Sequence, residues 1–161
     1  FVPLCGTRYM IISKTPLRIS FAGGGTDLRS YYEKDMGAVV STAIDKYIYI
    51  TVNKKFDDRL RVGYSKIEVM EKVDDIEHDL VREALKTTGV TKGVDIVYMS
   101  DMLPAQEALG LGSSGSLIVG TLNALHALKG EHVSAEKLAE KACEIEIEKL
   151  TSKKKTIFIK I

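Results

Sequence analysis

The chain has 161 residues, and 23 lysines and arginines against 22 aspartates and glutamates give a formal net charge of +1. Its 45% hydrophobic and 28% charged residues suit one ordinary globular domain, which excludes wholesale disorder. The near-neutral net charge argues against a nucleic-acid partner, because binding to a phosphate backbone requires concentrated Lys and Arg. No apolar run is long enough for a membrane span. Cys5 and Cys143 form no disulfide framework or zinc motif, which favours a reducing cytoplasm.

The first half of the chain predicts a series of strands around a glycine loop. Residues 10–21 are rich in β-branched and apolar side chains and predict a strand. The run AGGGTD at 22–27 predicts a tight loop and then a helix to about Glu33, with Thr26 or Asp27 as the N-cap. Further strands are predicted over residues 38–42, 47–53, 60–64 and 67–70.

The second half predicts mostly helices. Asp74 and Asp75 indicate the start of a helix to about Thr88, and residues 94–99 read as a short buried strand. A second glycine run precedes a helix to about Leu128 that is apolar on nearly every side, so this helix is predicted to be central and buried. Ser134 caps a last helix over residues 135–150. Without regular β-α alternation, the pattern favours an α+β fold over a doubly wound one.

The glycine run before the central helix has a physical use. Glycines let a backbone approach an anion closely, and the N–H groups and dipole of a helix N-terminus favour negative charge. The run comprises Gly110, Leu111, Gly112, Ser113, Ser114, Gly115 and Ser116. Its three hydroxyls could bind phosphate oxygens or a magnesium ion. The structural alternative is a helix N-cap with small residues for close packing.

Glu146 is a carboxylate on an apolar face. A helical projection of residues 135–150 places it among Leu138, Ala142 and Ile145, whereas Glu144 points to the opposite, polar side. A buried carboxylate needs a partner, which is either a metal ion or a structural cation. The serine-rich loop one helix earlier favours Mg²⁺, which prefers hard oxygen ligands.

Two separated motifs resemble the GHMP family of small-molecule kinases. PLRISFAGGGTD at 16–27 resembles the family's first motif, and GLGSS at 110–114 resembles its ATP-phosphate loop. The stretch ACEIEI at 142–147 is also similar, and the likeness is greatest to the heptose phosphate kinases. The resemblance covers residues 10–150 and implies the N-terminal domain of this family, a ribosomal-protein-like β-α-β sheet packed on helices.

The resemblance implies the roles of particular residues. Arg18 would stabilise the transferred phosphoryl group, and Mg²⁺ would be held by Ser114 and Glu146. The ATP phosphates would be wrapped by the loop, that is by Pro104, Gly110, Leu111, Gly112, Ser113, Ser114, Gly115 and Ser116. The sugar would be contacted by Gly24, Gly25, Thr26 and Asp27, and less strongly by Lys46.

The implied reaction is transfer of the ATP γ-phosphoryl group, with Mg²⁺, to a sugar hydroxyl. For the heptose subgroup the acceptor is the anomeric hydroxyl of a D-glycero-D-manno-heptose 7-phosphate, on the way to nucleotide-activated heptose. Other members of the family act on galactose, fucose or mevalonate. The partners implied are therefore ATP and a small sugar phosphate.

Three departures from the family pattern lead to the expectation of an incomplete chain. Five residues, instead of three, separate Pro104 from the glycine loop. After Leu150 the family continues with a GKQDQ-like run that supplies the catalytic Asp, whereas residues 151–161 contain no acidic residue. The family's C-terminal domain is absent. We therefore expect an extension at 1–9, a kinase N-terminal domain at 10–150 and a divergent tail at 151–161.

The departures also leave a second class of function open. Without the catalytic Asp, the polypeptide could bind nucleotide or sugar without turnover. The tail contains an Ile-Phe-Ile run at 157–159, which is β-prone and could promote association into a homo-oligomer.

Overall fold

The computed structural model describes residues 10–27, 29–102 and 110–149. The predicted extension, the predicted tail and Pro104 lie outside these ranges, and so does the side chain of Asp27. Across the described ranges, no helix has the length and apolar character needed to cross a membrane.

Within the described residues, the fold has five strands and four α-helices. The strands are β1 (Ile11–Ala22), β2 (Val40–Lys54), β3 (Leu60–Gly63), β4 (Ile67–Met70) and β5 (Val94–Ser100). The helices are α1 (Arg29–Tyr32), α2 (Asp79–Thr88), α3 (Ser113–Leu128) and α4 (Ala135–Glu144). Two 3-10 turns, Gly24–Asp27 and Val73–Asp75, and a π-helix, Ile145–Lys149, complete the described elements.

The strands form one mixed sheet in the order β1-β2-β5-β3-β4. Only the β3–β5 pair is parallel, and the other pairs are antiparallel. Strand β1 lies at the edge of the sheet. Pro16 is tolerated there because an edge strand can lack an N–H without losing a hydrogen bond between strands. Opposite Leu17, three residues of β2 (44–46) bulge out of register.

The core lies between one face of the sheet and the helices. Val52, Ile96 and Val62 share a register row across β2, β5 and β3, and all three are buried. Helix α3 packs on β1 and β2, and α2 and α4 pack against α3. The prediction of a central buried helix is therefore confirmed, and so is the α+β fold class.

The structure corrects three predicted boundaries. The strands predicted at 38–42 and 47–53 are one continuous strand, β2, because the bulge at 44–46 absorbs the break in the apolar pattern. The helix predicted from Asp74 begins at Asp79, because extended backbone at Ile76 places this buried side chain in the core. The helix predicted over 135–150 is α-helical only to Glu144 and then widens into the π-helix.

Candidate functional site

The glycine loop enters α3 in a conformation that only glycine adopts easily. Gly110 and Gly112 have φ angles of +72° and +75°, in the left-handed region where a side chain is strained. Gly112 directly precedes the first residue of the 16-residue helix α3. The first N–H groups of this helix therefore open onto the loop, as binding of an anion requires.

Arg18 crosses this loop from β1. Its backbone N–H donates to the carbonyl oxygen of Leu111 at 3.0 Å, and its Nη1 donates to that of Gly110 at 3.2 Å. A Cβ atom on Gly112 would lie 3.1 Å from Cγ and 3.2 Å from Nε of Arg18. The glycine therefore leaves the space in which the guanidinium group lies over the loop.

The three serines of the loop have different surroundings. Ser116 is buried, and its hydroxyl donates to the carbonyl oxygen of Pro16 at 2.8 Å, which ties α3 to β1. Ser113 is half-buried and Ser114 is exposed, and both line a pocket on one side of the loop. The hydroxyl of Ser116, which is predicted to bind phosphate, thus already makes a structural hydrogen bond.

Two pockets flank the loop. The larger pocket has a volume of about 630 Å³, and its wall includes Tyr64, His78, Tyr98, Ser100, Ser113 and Ser114. The smaller pocket has a volume of about 340 Å³, and its wall includes Arg18, Ser41, Thr42, Gly112, Gly115 and Leu138. Both volumes fall in the range of small-molecule sites. The loop thus contributes Ser113 and Ser114 to the larger pocket, and Gly112, Gly115 and Ser116 to the smaller one.

Glu146 is buried, as predicted, and lies in the π-helix that continues α4. The prediction that Glu144 faces outward is also confirmed, because this residue is exposed. The π-helical segment packs against α2. Single π-helical turns inside helices are frequent at functional sites.

Of the two predicted magnesium ligands, Ser114 lines the larger pocket and Glu146 lines neither pocket, so their joint binding of Mg²⁺ stays a prediction. Within the described ranges, no group of three or more His, Cys, Asp or Glu side chains could hold a metal ion. Two protein oxygen donors would leave the other positions around a magnesium ion to phosphate oxygens and water.

The predicted sugar-contacting segment is closed by its own hydrogen bonds. The hydroxyl of Thr26 lies 2.7 Å from the carbonyl oxygen of Gly23 and 3.2 Å from that of Ala38, to which it can donate. Gly24 and Gly25 lie in the 3-10 turn, and Gly25 has open space around it. Lys46 is exposed in the β2 bulge and lies outside both pockets.

Sequence reasoning missed the strand residues that complete the two pockets. Ser41 and Thr42 of β2 lie beside Arg18, and Tyr64, Tyr98 and Ser100 lie beside the loop serines. These residues carry no motif, and only the strand order brings them to the loop. His126, by contrast, lies outside both pockets and is held by neighbours in the fold: its Nδ1 lies 2.6 Å from Oε2 of Glu131 and its Nε2 lies 3.0 Å from Nζ of Lys141.

A buried carboxylate stands behind the wall of the larger pocket. Glu68 of β4 accepts hydrogen bonds from the Tyr64 hydroxyl and, at 2.7 Å, from the backbone N–H of Glu77. Burial alone would raise the pKa of Glu68, but these hydrogen bonds outweigh it and hold the pKa below the ordinary value of 4.5. Burial, and then the same contact with Glu68, raises the pKa of Tyr64.

With this geometry in place, the comparisons with known proteins can be stated. The profile of the family described as GHMP kinases N terminal domain matches residues 65–156, which is more than half of the chain. This chain belongs to the GHMP kinase family. The match includes the second glycine motif and confirms the predicted family, and it agrees with the mixed sheet and buried helix described above.

Two similar proteins from Campylobacter jejuni have the names of sugar kinases. The D-glycero-alpha-D-manno-heptose 7-phosphate kinase of Campylobacter jejuni is 30% identical over 152 residues, covering 87% of this chain and 44% of the relative. A crystal structure from Campylobacter jejuni, described as a candidate sugar kinase, is 27% identical with a TM-score of 0.72 and covers 90% of this chain and 47% of that one.

A third comparison shows the fold alone. The structure of a D-glycero-D-manno-heptose 1-phosphate kinase from Bacteroides thetaiotaomicron has a TM-score of 0.73 at 24% identity and covers 87% of this chain and 49% of that one. The chain thus spans somewhat less than half the length of these relatives.

Proposed function

We propose that this GHMP kinase domain binds Mg²⁺-ATP and takes part in transfer of the γ-phosphoryl group to a sugar hydroxyl. The observation that carries the proposal is the glycine loop, which lies at the N-terminus of a buried helix between two pockets and is crossed by Arg18. In-line transfer needs a donor on one side of the phosphoryl group and an acceptor on the other. Two pockets flanking one anion-binding loop satisfy that requirement.

The larger pocket is assigned to the nucleotide. Its wall includes Tyr64 and Tyr98, whose rings could stack with a base, and Ser113 and Ser114, which belong to the glycine loop. The open N–H groups at the start of α3 would then neutralise the phosphates. When bound, Mg²⁺ would be held by Ser114 and Glu146 and would offset the charge of the β- and γ-phosphates.

The smaller pocket is assigned to the acceptor. Ser41 and Thr42 offer hydroxyls to a polyol, and Arg18 stands where negative charge develops on the phosphoryl group. The acceptor oxygen would form a bond to the γ-phosphorus, the bond from that phosphorus to the β,γ-bridging oxygen would break and release ADP, and the proton of the acceptor hydroxyl would pass to solvent water. Among the described residues that line this pocket none is a carboxylate, so the proposal assigns no general base to them.

The acceptor is proposed to be a D-glycero-D-manno-heptose phosphate, because the 30% identical relative is named for this substrate. The product would then serve the formation of nucleotide-activated heptose. Because ATP is an intracellular metabolite, the proposed location is the cytoplasm. Binding of nucleotide and sugar without turnover is the second candidate, and the lack of a carboxylate among the described walls of the smaller pocket favours it.

The proposal is tested by titrating the chain with Mg²⁺-ATP in a calorimeter. Gly112→Ala should weaken binding by about tenfold or more, because the methyl group strains the left-handed backbone and meets Arg18. Gly130→Ala is the matched control, since Gly130 has a φ of +76° and open space around it. The control should bind ATP as the wild type does.

Ser114→Ala should weaken binding only when Mg²⁺ is present, and chelation of the metal should reduce wild-type affinity to the level of the variant. Release of ADP is then measured with heptose phosphates, galactose, fucose and mevalonate. Release with a heptose phosphate alone supports the kinase proposal, whereas binding without release supports the second candidate. Equal ATP affinity of Gly112→Ala and wild type would contradict both.

A further inference from the structure

Part of the wall of the larger pocket comes from two segments that are separated in the chain, residues 64–65 and residues 78–80. Tyr64 follows β3 in the turn to β4, and its N–H donates to the carbonyl oxygen of Lys66 at 2.8 Å. His78 precedes α2. The rings of Tyr64 and His78 meet edge to face, with centroids 4.9 Å apart and an interplanar angle of 89°.

Glu68 joins these two segments from behind. It is only 4% exposed and does not line the pocket. Its Oε1 accepts from the Tyr64 hydroxyl, and its Oε2 accepts from the N–H of Glu77, the neighbour of His78. One buried carboxylate therefore holds both of these wall segments, through Tyr64 and through the backbone next to His78.

A second link between the same segments is exposed. Lys66 forms an ion pair with Glu77, and both side chains face solvent. Exposed ion pairs contribute little, because solvent screens them, whereas a buried carboxylate with two donors is strongly held and costly to remove. Strand β4 is four residues long and lies at the sheet edge, so it offers little other support for this wall.

We propose that Glu68 is a positioning residue for the nucleoside part of the ligand, acting through Tyr64 and the turn before α2 without touching the ligand. The inference rests on the proposed function, since it takes the larger pocket as the nucleotide site. It separates two contributions to affinity. The glycine loop binds phosphates, and the wall held by Glu68 binds the nucleoside.

The test compares two probes, Mg²⁺-ADP and inorganic tripolyphosphate, on the same variants. Glu68→Ala should weaken ADP binding by about tenfold, the effect expected for loss of a charge-assisted hydrogen bond, and should leave tripolyphosphate binding unchanged. Glu68→Gln should bind ADP within about threefold of wild type. Its amide can accept from the Glu77 N–H and donate to the phenol oxygen of Tyr64.

Two further variants keep the result interpretable. Tyr64→Phe retains the ring and the fold but loses the hydroxyl, so it should weaken ADP binding by several-fold and leave tripolyphosphate binding intact. Lys66→Ala removes the exposed ion pair with Glu77 and the contact of Lys66 with the Tyr64 ring, but leaves both donors to Glu68 in place, so it should bind both probes within about threefold of wild type.

The outcomes separate this inference from the proposed function. Equal losses for both probes, or unchanged ADP binding in both Glu68→Ala and Tyr64→Phe, would overturn the positioning role while the phosphate loop stands. If wild-type protein binds neither probe, the proposed function fails, and the inference fails with it.

Discussion

At the scale of single residues, the site contains side chains that hydrogen bonds within the protein already hold in place before a ligand binds. Arg18 is held over the glycine loop by the carbonyl oxygen of Gly110, and Ser116 is held by Pro16. Glu68 is held by Tyr64 and the backbone of Glu77. Such fixed groups bind a ligand without first losing side-chain freedom, which lowers the cost of binding.

The lowered pKa of Glu68 predicts a contribution to acid stability. The carboxylate is stabilised in the folded state, so its full contribution is present above the ordinary pKa of 4.5 and is lost as pH falls through the lower, folded-state pKa. Glu68→Gln removes this titration. The free energy of unfolding of the variant, measured by urea denaturation from pH 6 to pH 3, should therefore fall less steeply below pH 4.5 than that of wild type.

Glu71→Gln, an exposed carboxyl just beyond the same strand, is the matched control and should follow the wild-type curve. Part of the acid response remains in every variant, because ion pairs and hydrogen bonds also lower the pKa values of Asp57, Asp74, Glu131 and Glu136. A Glu68→Gln curve parallel to wild type below pH 4.5 would show that the hydrogen bonds to Glu68 add no acid-sensitive stability.

At the scale of elements, α3 determines the geometry of the site because it lies unusually close to the sheet. Gly120 faces β1 and β2, and a Cβ atom there would lie 2.7 Å from Oγ1 of Thr15 and 3.2 Å from Cγ1 of Ile50. Thr15 also lines the smaller pocket. The close approach therefore links the packing of α3 to the shape of the site.

Gly120→Ala is predicted to destabilise the protein, although alanine is the better helix former. Helix propensity favours Ala by about 1 kcal/mol, whereas overpacking at a close backbone approach costs about 1–3 kcal/mol. We expect a net loss of about 1 kcal/mol in the free energy of unfolding, measured by urea denaturation. Asn123→Ala, on the exposed side of the same helix, is the control and should be neutral or slightly stabilising. A Gly120→Ala variant more stable than wild type would disprove the close packing.

At the scale of the whole molecule, one helical layer on one sheet face makes a single core. Leu122 lies in the middle of α3, is fully buried and belongs to the cluster that joins the sheet to α2 and α4. The opposite face of the sheet carries residues such as Ile67 and Met99, which are 63% and 52% exposed. Stability should therefore depend strongly on the first face and weakly on the second.

Leu122→Ala is predicted to lower the free energy of unfolding by about 3 kcal/mol, because it leaves a cavity at the centre of the core. For a domain of this size that loss corresponds to a fall in Tm of about 10 °C, measured by calorimetry. Ile67→Ala should change Tm by no more than about 2 °C. Comparable losses in the two variants would contradict the one-sided core.

The predictions from sequence succeeded where the signal is local. Apolar periodicity placed β1, β4 and α3 closely, and the projection of the last helix correctly buried Glu146 and exposed Glu144. They failed where a tertiary contact overrides a local preference. Asp74 and Asp75 have the chemistry of a helix start, but the core takes up the side chain of Ile76, and the extended backbone this requires delays the helix to Asp79.

The sequence by itself determined the family, the glycine loop, the helix that follows it and the presence of Arg18 and Glu146. These features depend on residues that are neighbours in the chain or on one helix face. Only the tertiary structure decided that Ser41 and Thr42 join Arg18, that Tyr64 and His78 join Ser113, and that the Ser116 hydroxyl turns toward Pro16. The physical reason is that pairing in the order β1-β2-β5-β3-β4 joins segments far apart in sequence, and no local pattern encodes which strand will lie beside which.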